Sequence, residues 1–462
     1  MAPPRDPLEA ISPLDGRYAS RTAPLVPYAS ESALIRARVR VEVDYLLALA
    51  DLDPIPLSID DDDRAAMTAI YRDFDLEDAR LVKRIETEGH GDYPATNHDV
   101  KAVEYFLRER LPPSIDADQW IHFGLTSEDV NNLAYRLLIR GAVTEVLLAR
   151  LTAIQETLEA GAAEFRSIPM LARTHGQPAT PTTFGKELAV YASRLSRSID
   201  RIRSASDALA GKLAGASGTY AAHHVAFPEV DWHGFARDFV ATYDLQHEPL
   251  VTQVNPCDDL ARLFDAVRGT NAILLDLDLD MWLYVSDGYL KQRAAAGETG
   301  SSTMPHKVNP IDFENSEGNL SKANADLTFL AETITRSRLQ RDLSDSTVKR
   351  TIGTALGHAL LGYEKCLDGL ETIAPDEAAM RADLEANPAV LGEAIQTVLR
   401  AAGDADAYER VKEATRGREV TIEDLRSILA DVDVDPSMRS RLERLTPATY
   451  LGVADGLVDE LE

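Results

Sequence analysis

The sequence predicts an all-α protein built around a bundle of long helices. Apolar residues recur at spacings of three and four over several long stretches, which is the periodicity of one face of an α-helix. Short segments rich in glycine and proline separate these stretches. Few runs show the alternation of apolar and polar residues that is typical of a strand, so long helices packed side by side are the expected architecture.

Five stretches carry the helical periodicity most clearly. Between residues 184 and 213, Leu188, Leu195, Ile199 and Ile202 lie on one apolar face, and arginine residues occupy much of the remaining surface. A helix of about 30 residues spans roughly 45 Å, which suits a long bundle. The five predicted helices cover residues 128–165, 184–213, 258–292, 311–338 and 347–373.

Two short runs in helix-like stretches alternate apolar and polar residues instead, which is the periodicity of a strand. Residues 39–45 place valines and a tyrosine between charged residues, and residues 275–280 alternate in the same way. Both runs lie inside longer segments rich in leucine and alanine. We therefore predict helix at both places, although a strand is the alternative that the alternation itself favours.

Breaks in the pattern divide the chain into three predicted parts. Proline and glycine cluster at residues 53–56, 89–94 and 111–114, and Pro375 opens a less regular segment. The prediction is an N-terminal helical domain over 1–115, a central long-helix bundle over 116–370 and a C-terminal helical domain over 371–462. A loop at 293–310, with two glycines and two prolines, interrupts the central bundle.

The charge balance excludes several partners. Asp and Glu number 76 against 48 Lys and Arg, a formal net charge of −28, and ten of the basic residues are lysine. Such a field repels nucleic acid and anionic membranes. At 1 M salt the Debye length falls to about 3 Å, which screens the self-repulsion of the protein. We therefore expect adaptation to a high-salt cytoplasm, and an ordinary acidic enzyme is the alternative.

Composition also argues against a metal centre, a disulfide framework or a bound cofactor. Cys257 and Cys366 are the two cysteines, too few for a cysteine-built zinc site. His223, His224 and His233 lack the HExxH spacing of a zinc helix. No dinucleotide-binding or phosphate-binding glycine motif is evident, and neither a signal peptide nor an apolar run long enough to span a membrane is predicted.

The loop at 300–310 is the first candidate site. Small residues there let backbone N–H groups approach a ligand, and a helix after Pro310 would direct its positive end toward the loop. Lys307 and Asn309 add a cation and an amide, beside the hydroxyls of Ser301 and Ser302. This combination can stabilise developing negative charge. A plain linker between two helices is the alternative.

His175 is the second candidate, within the sequence Arg-Thr-His-Gly-Gln-Pro-Ala-Thr-Pro at 173–181. A histidine in a tight turn suits proton transfer near neutral pH, although a lone histidine is more often structural. Thr126-Ser127-Glu128-Asp129 has the pattern of a helix N-cap, with a hydroxyl first and a carboxylate after it. The segment 96–99 resembles a cap of the same kind.

Taken together, these segments resemble those of a known enzyme family. The loop 300–310 resembles the signature loop of the fumarase/aspartase superfamily, G-S-S-x-M-P-x-K-x-N-P, whose members share a helical fold and eliminate fumarate or a close analogue. Within it the chain resembles the adenylosuccinate lyase family, from about residue 11 to the end. His-Gly-Gln at 175–177 stands where fumarases and argininosuccinate lyases typically carry His-Leu-Gln. Residues 88–95 look longer than in relatives. The segments that carry the family resemblance are 12–18, 96–104, 173–181, 228–233, 304–307 and 341–347.

The resemblance implies a reaction and its catalytic residues. Family members cleave adenylosuccinate to AMP and fumarate, and the succinylated carboxamide ribotide SAICAR to AICAR and fumarate. Ser301 takes the place of the general base and His175 that of the general acid. Glu314 resembles the carboxylate that orients the histidine, and Lys307 and Asn309 would hold the carboxylate that gathers charge. A serine base must react as the alkoxide, which N–H groups, a helix end and Lys307 could stabilise in a closed loop.

The resemblance also implies substrate-binding residues and an assembly. Groups around the nucleotide phosphate and base are Arg17, Tyr18, Asn97, His98, Asp99, Arg341, Ser346 and Arg350. Contacts to the succinyl group are Thr126, Ser127, Gln253 and Ser302. In the family these segments come from three subunits, so the expected enzyme is a homotetramer whose active sites are shared between subunits.

Three alternatives remain open at this point. The chain could be another fumarate-releasing lyase of the superfamily, which the His-Gly-Gln sequence at 175–177 disfavours. It could be a cycloisomerase of the same fold, which should lack the phosphate-binding segment 341–350. It could also be a non-catalytic protein on the same scaffold, although Ser301, His175, Lys307 and Glu314 are all intact.

Overall fold

The α-helices predicted from the periodicity dominate the structure. A computed structural model describes residues 6–292, 308–417, 420–429 and 434–461. A π-helical segment, Ala142–Leu147, joins the helix that ends at Gly141 to the helix that begins at Leu148. The described α-helices are α1 (Ala19–Thr22), α2 (Val26–Ala29), α3 (Glu31–Ala50), α4 (Asp61–Arg72), α5 (Leu76–Thr87), α6 (Asp99–Arg110), α7 (Ser127–Gly141), α8 (Leu148–Glu164), α9 (Phe184–Asp207), α10 (Ala221–Ala226), α11 (Trp232–Ala241), α12 (Asp258–Ser286), α13 (Ile311–Ile334), α14 (Ser344–Lys349), α15 (Ile352–Thr372), α16 (Glu377–Ala386), α17 (Gly392–Ala401), α18 (Ala407–Thr415), α19 (Ile422–Ser427) and α20 (Pro436–Arg444).

The ends of the long helices differ from the prediction. The helix predicted to reach residue 213 ends at Asp207, and the helix predicted to reach 292 ends at Ser286. The stretch 347–373 is divided, because the chain leaves the helix between α14 and α15. Short strands follow the first two helix ends, so pairing with distant segments overrides the local helical pattern there.

Residues 39–45 are helical, as predicted, although their sequence alternates. They lie in α3, where Val39, Val41 and Val43 are each 0% exposed. Glu42, between two of these valines, is also buried. A helix covered on several sides has no broad polar face to impose a rhythm of 3.6 residues. The alternation therefore records burial on more than one face. Residues 275–280 likewise lie within α12.

A β-hairpin stands where the prediction had no strand. Strands β1 (Pro169–Thr174) and β2 (Gln177–Thr183) pair antiparallel around His175 and Gly176. These two residues have φ of 53° and 71°. Two positive φ values are what a two-residue type I′ hairpin turn requires. The short strands β3 (Ala210–Gly211) and β4 (Gln246–His247) pair in parallel, and β5 (Leu290–Gln292) and β6 (Ile373–Pro375) pair antiparallel.

The described chain forms two compact units. The first contains the chain up to Leu151, Ser198–Ala272 and Gly318–Glu364. Within it, Arg136 of α7 donates from Nε and Nη2 to the two carboxylate oxygens of Asp259, both at 2.8 Å. Both side chains are buried, so this bidentate pair attaches α7 to the start of α12.

A second buried ion pair holds the other end of α7. Asp129 lies 2.9 Å from Nζ of Lys212, and both side chains are 0% exposed. The same carboxylate accepts the backbone N–H groups of Ala214 and Gly215 at 2.9 and 3.1 Å. Charges removed from water require such partners. The first turn of α7 is therefore fixed in position by the segment after β3.

The second unit contains Thr152–Arg197, Ile273–Glu317 and the chain from Lys365 onward. In it, Arg173 of β1 donates to Asp383 of α16 at 2.5 Å. The C-terminal helices enclose an apolar cluster of Leu391, Ala394, Ile395, Leu399, Ala407, Val411, Val420, Leu425, Leu429, Val434 and Leu442. A membrane-crossing helix is not found in the described part of the chain, since none of its helices is both long and apolar enough.

Candidate active site

A pocket of about 660 Å³ opens in the first unit, and its size is typical of a small-molecule site. It lies where α3, the N-terminal ends of α6 and α7, and the segment 341–350 meet. Nine of the predicted binding residues line it: Asn97, His98, Asp99, Thr126, Ser127, Gln253, Arg341, Ser346 and Arg350.

His98 caps α6 and directs its other ring nitrogen toward α7. Its Nδ1 accepts the backbone N–H of Lys101 at 3.2 Å. An accepting Nδ1 leaves the ring proton of a neutral imidazole on Nε2, which lies 3.4 Å from Oγ of Ser127. His98 is therefore oriented as a hydrogen-bond donor within the pocket.

The cap predicted in the segment 96–99 was wrong in its capping residue. The hydroxyl of Thr96 instead accepts the backbone N–H of His98 at 3.2 Å and donates to its carbonyl at 2.9 Å. Asn97 has φ of 47°, a left-handed conformation that delays the start of the helix to Asp99. The capping function consequently falls to the imidazole.

The cap predicted at Thr126 is confirmed. The carboxylate of Asp129 accepts the N–H of Thr126 at 2.8 Å, which is one half of a capping box. The same carboxylate pairs with Lys212, so the cap is anchored in the interior. Ser127 and Glu128, at the first turn of α7, line the pocket as a result. A helix N-terminus in this position favours an anionic ligand.

Two chains of charges, each cation–carboxylate–cation, shape the pocket. In the first, Glu128 lies between Lys349, at 3.2 Å, and Arg341, at 3.6 Å. Lys349 is only 3% exposed and also contacts Asp345 at 2.8 Å. The inner cation is therefore buried, while the outer cation Arg341 keeps 17% of its side chain exposed.

The second charge chain has the same order of cation, carboxylate and cation. Asp99 lies between Arg38, at 2.7 Å, and Arg350, at 3.5 Å. Arg38 is 2% exposed and also donates from Nε to Asn131 at 2.8 Å, whereas Arg350 is 48% exposed. In both chains a buried cation neutralises a carboxylate, and an arginine lies on the accessible side.

The ionisation of these groups follows their surroundings. Burial favours the neutral amine of Lys349, but the carboxylates of Glu128 and Asp345 outweigh it and raise the pKa of Lys349 above its ordinary value. Burial opposes ionisation of Asp99, yet Arg38 and the N–H of Val100 lower the pKa of its carboxyl below the usual range. Both groups are therefore charged at neutral pH.

Several pocket residues were missed by the sequence analysis. Arg38 lies outside the segments that carry the family resemblance, and Glu128 was predicted only as part of a helix cap. Asp345, Thr347 and Lys349 lie within the segment 341–350, but the resemblance assigns them no role of their own. The i, i+4 spacing of Asp345 and Lys349 indicated only a local ion pair. The missed residues are Arg38, Glu86, Glu128, Asn131, Tyr135, Leu343, Asp345, Thr347 and Lys349.

The predicted catalytic residues that are described belong to the second unit. His175 is exposed at the tip of the β1–β2 hairpin, and its positive φ holds it in the turn. Glu314, in the first turn of α13, accepts a hydrogen bond from Nε1 of Trp282 at 3.1 Å. Asn309 is half-buried shortly before α13 begins. Ser301, Ser302 and Lys307 lie outside the described residues.

Arg17 and Tyr18 lie in the first unit but do not line the pocket. The guanidinium of Arg17 lies 5.8 Å from the centre of the Tyr18 ring, a cation–π contact. The sequence-based assignment of both residues to the nucleotide site therefore stays a prediction.

The pocket is suited to bind and orient an anion. Two helix N-termini and the accessible arginines Arg341 and Arg350 supply positive potential, and hydroxyl and amide groups beside them give directional hydrogen bonds. Its carboxylates all have cation partners, since Glu86 pairs with Lys83 at 2.5 Å and the other three belong to the chains described above. These carboxylates serve charge balance rather than proton abstraction.

Comparisons with known proteins agree along nearly the whole chain. Residues 16–324 match the family model described as "Lyase", and residues 337–451 match the model described as "Adenylosuccinate lyase C-terminal". The adenylosuccinate lyase of Haemophilus influenzae is 43% identical over 98% of this chain and 99% of its own length. That of Escherichia coli is 44% identical over the same shares, and that of Dictyostelium discoideum is 43% identical over 96% and 97%.

Solved structures show the same fold at lower identity. A fumarate lyase from Mesorhizobium sp. BNC1 has a TM-score of 0.75 at 21% identity, covering 95% of this chain and 96% of its own. The 3-carboxy-cis,cis-muconate lactonizing enzyme of Pseudomonas putida has a TM-score of 0.73 at 22% identity, covering 95% of both. At these identities the likeness concerns the fold alone, and it confirms the predicted fumarase/aspartase-like helical fold.

Proposed function

The chain belongs to the adenylosuccinate lyase family, and on that premise we propose how its pocket, hairpin and signature loop divide one elimination reaction. The enzyme is a carbon–nitrogen lyase that releases fumarate from adenylosuccinate and leaves AMP. In the proposal SAICAR is cleaved in the same way to AICAR and fumarate, which gives the enzyme two steps of purine nucleotide biosynthesis.

The observation that carries the proposal is the pocket of the first unit. Both substrates carry a phosphate, and Arg341 and Arg350 present guanidinium groups that can bind it as charge-assisted forks. Ser346 adds a hydroxyl to the same end of the pocket. Asn97, His98 and Asp99 are assigned to the nucleotide, with His98 donating from Nε2.

The succinyl group is assigned to the start of α7. Thr126, Ser127 and Gln253 line the pocket there, and the helix N-terminus favours a carboxylate. Ser302 and Asn309, both in the signature loop 300–310, are assigned to the same group. Arg17 and Tyr18 are assigned to the nucleotide end on the family pattern alone.

The elimination itself needs a base and an acid. The alkoxide of Ser301 removes a proton from the succinyl Cβ, and the electron pair left on that carbon becomes the double bond of fumarate as the C–N bond breaks. His175 gives a proton to the departing nitrogen, which completes AMP. Lys307 stabilises the carboxylate that gathers charge, and Glu314 orients the histidine.

The exposure of His175 at a hairpin tip supports a shared site. A general acid must be enclosed with its substrate to work efficiently, and in one chain this ring is exposed. In the proposal the enzyme is a homotetramer, and each active site takes the pocket, the histidine and the signature loop from different subunits. The assembly works in a cytoplasm of high salt, which the net charge of −28 supports.

Complementation tests this arrangement. Ser301→Ala and His175→Gln should each lower turnover of adenylosuccinate by about 10²- to 10⁴-fold while the assembly stays intact. When the two variants are dissociated, mixed and reassembled, some sites receive an intact serine and an intact histidine, so activity should return.

The matched control mixes Ser301→Ala with the Ser301→Ala/His175→Gln double variant, which cannot rebuild an intact site. Near-normal turnover by Ser301→Ala would remove the serine as the base. A change in substrate affinity alone in His175→Gln would remove the histidine as the acid. No recovery in mixed tetramers, verified by a tag on one variant, would contradict the shared site.

A further inference from the structure

The buried cation Lys349 has no place in the assignments above, although it shares the carboxylate of Glu128 with Arg341. Its Nζ is 3.2 Å from Oε1 of Glu128 and 2.8 Å from Oδ2 of Asp345, and only 3% of its side chain is exposed. A lysine so deeply buried between two carboxylates does not contact solvent or substrate freely. Its effect on a ligand must therefore pass through its neighbours.

Glu128 is the neighbour through which it acts. This carboxylate is 2% exposed and needs a countercharge, because a buried charge without a partner is costly. Two cations compete for it: Lys349 on Oε1 at 3.2 Å and Arg341 on Oε2 at 3.6 Å. If Lys349 were neutral, Glu128 could be balanced only by drawing Arg341 toward itself.

Arg341 is the arginine that the proposed function assigns to the substrate phosphate, and the inference rests on that assignment. A phosphate competes with Glu128 for the same guanidinium. We propose that Lys349 is a positioning residue that keeps Arg341 available to the substrate phosphate by neutralising Glu128 and Asp345 beneath it. The strength of phosphate binding is then set by a lysine that does not touch the phosphate.

The second charge chain supports the reasoning independently. Arg38, also buried, neutralises Asp99 at 2.7 Å, and Arg350 contacts the same carboxylate from the accessible side at 3.5 Å. The pocket therefore contains the same arrangement twice, with the inner cation closer to the carboxylate than the outer one. In each case the shorter distance leaves the outer arginine the more weakly held of the two.

The test is Lys349→Met, which keeps the length of the side chain and removes the charge. We expect KM for adenylosuccinate and the competitive inhibition constant of AMP to rise on the order of tenfold, with kcat changed less than about threefold, because a ground-state contact is weakened. Lys349→Arg should restore both constants. Lys412→Met, which removes another ion-paired lysine that does not line the pocket, should leave both unchanged.

A double variant separates charge from packing. Lys349→Met/Glu128→Gln removes the carboxylate together with its countercharge, so AMP inhibition should return toward the wild-type constant, whereas a packing defect would persist. Should Lys349→Met fail to fold, Glu128→Gln alone decides: it frees Arg341 and should tighten AMP inhibition. Unchanged AMP inhibition in Lys349→Met, or weaker inhibition in Glu128→Gln, would overturn the proposal.

Arg341→Gln, measured in parallel, separates a failure of the phosphate assignment from a failure of the positioning role of Lys349. If it does not weaken AMP inhibition, the phosphate assignment of the proposed function is wrong. If it weakens AMP inhibition and Lys349→Met does not, the assignment stands and only the positioning role of Lys349 is refuted.

Discussion

Replacing Arg136 by methionine should destabilise the protein far more than the same change at Arg268. Both arginines pair with one aspartate: Arg136 donates to both carboxylate oxygens of Asp259 at 2.8 Å, and Arg268 donates from Nε and Nη2 to one oxygen of Asp265 at 3.2 and 3.0 Å. They differ in burial, since Arg136 is 0% exposed and Arg268 is 46% exposed. The comparison therefore tests whether a buried ion pair contributes more to stability than an exposed one.

The magnitudes follow from what each change leaves behind. Without Arg136, the Asp259 carboxylate is 6% exposed and keeps the N–H of Ala210, at 2.9 Å, as a donor. An uncompensated buried charge of this kind costs about 3–5 kcal/mol. Without Arg268, the Asp265 carboxylate returns to water, and the loss of an exposed pair is worth at most about 1 kcal/mol.

Equilibrium urea unfolding followed by circular dichroism measures the difference. Wild type and both variants are compared at one salt and one protein concentration, because any subunit assembly would make apparent stability depend on concentration. The dependence of the free energy of unfolding on urea concentration should be the same for all three proteins, so that differences between their unfolding midpoints report differences in stability. Destabilisation of Arg136→Met and Arg268→Met within about 1 kcal/mol of each other would refute the reasoning, because the buried pair would then be worth no more than an exposed one.

Three further predictions concern pH and salt. Burial opposes charging of His122, but Glu42 at 2.6 Å raises the pKa of the imidazole, so this pair stabilises the fold below about pH 6.5 and the contribution is lost as pH rises through the folded-state pKa. In thermal melts His122→Gln should cost more at pH 6 than at pH 9, and an equal cost would contradict the pairing. Burial raises the pKa of Asp278 to about 8. Between about pH 4 and pH 8 its carboxyl is therefore ionised in the unfolded chain and protonated in the folded one, so the free energy of unfolding falls as pH rises through this range. Asp278→Asn should remove that fall, and an unchanged pH profile of the melting temperature would contradict it. Lowering salt from molar to about 0.1 M should dissociate or unfold the protein in size-exclusion and melting measurements, and full stability in dilute buffer would end the high-salt interpretation.

The helices were predictable because their apolar stripes depend on short-range spacing. The same reasoning failed at 169–183, where β-branched threonines and a His-Gly dipeptide form a hairpin. The positive φ of His175 is a backbone property that the residue type only weakly indicates. The mistaken helix end after Asp207 has a similar origin, since Ala210 pairs with Gln246 far along the chain.

The residues that line the pocket were predictable where a motif carries chemistry and not where burial decides the role. The resemblance supplied Asn97, Ser127 and Arg341 at once. Lys349 meets Glu128 across 221 residues of chain, and no local pattern indicates that encounter. Arg38 likewise meets Asp99 across 61 residues. Ion pairs between distant segments depend on how the whole unit packs, and no local sequence pattern indicates that packing.

The proposed function is cleavage of succinylated purine nucleotides at the pocket of the first unit. The most direct measurement is fumarate release by the purified protein in molar KCl, with adenylosuccinate, SAICAR and argininosuccinate offered separately. We expect turnover of both purine substrates and none of argininosuccinate. A folded, assembled protein that releases no fumarate from either purine substrate would contradict it.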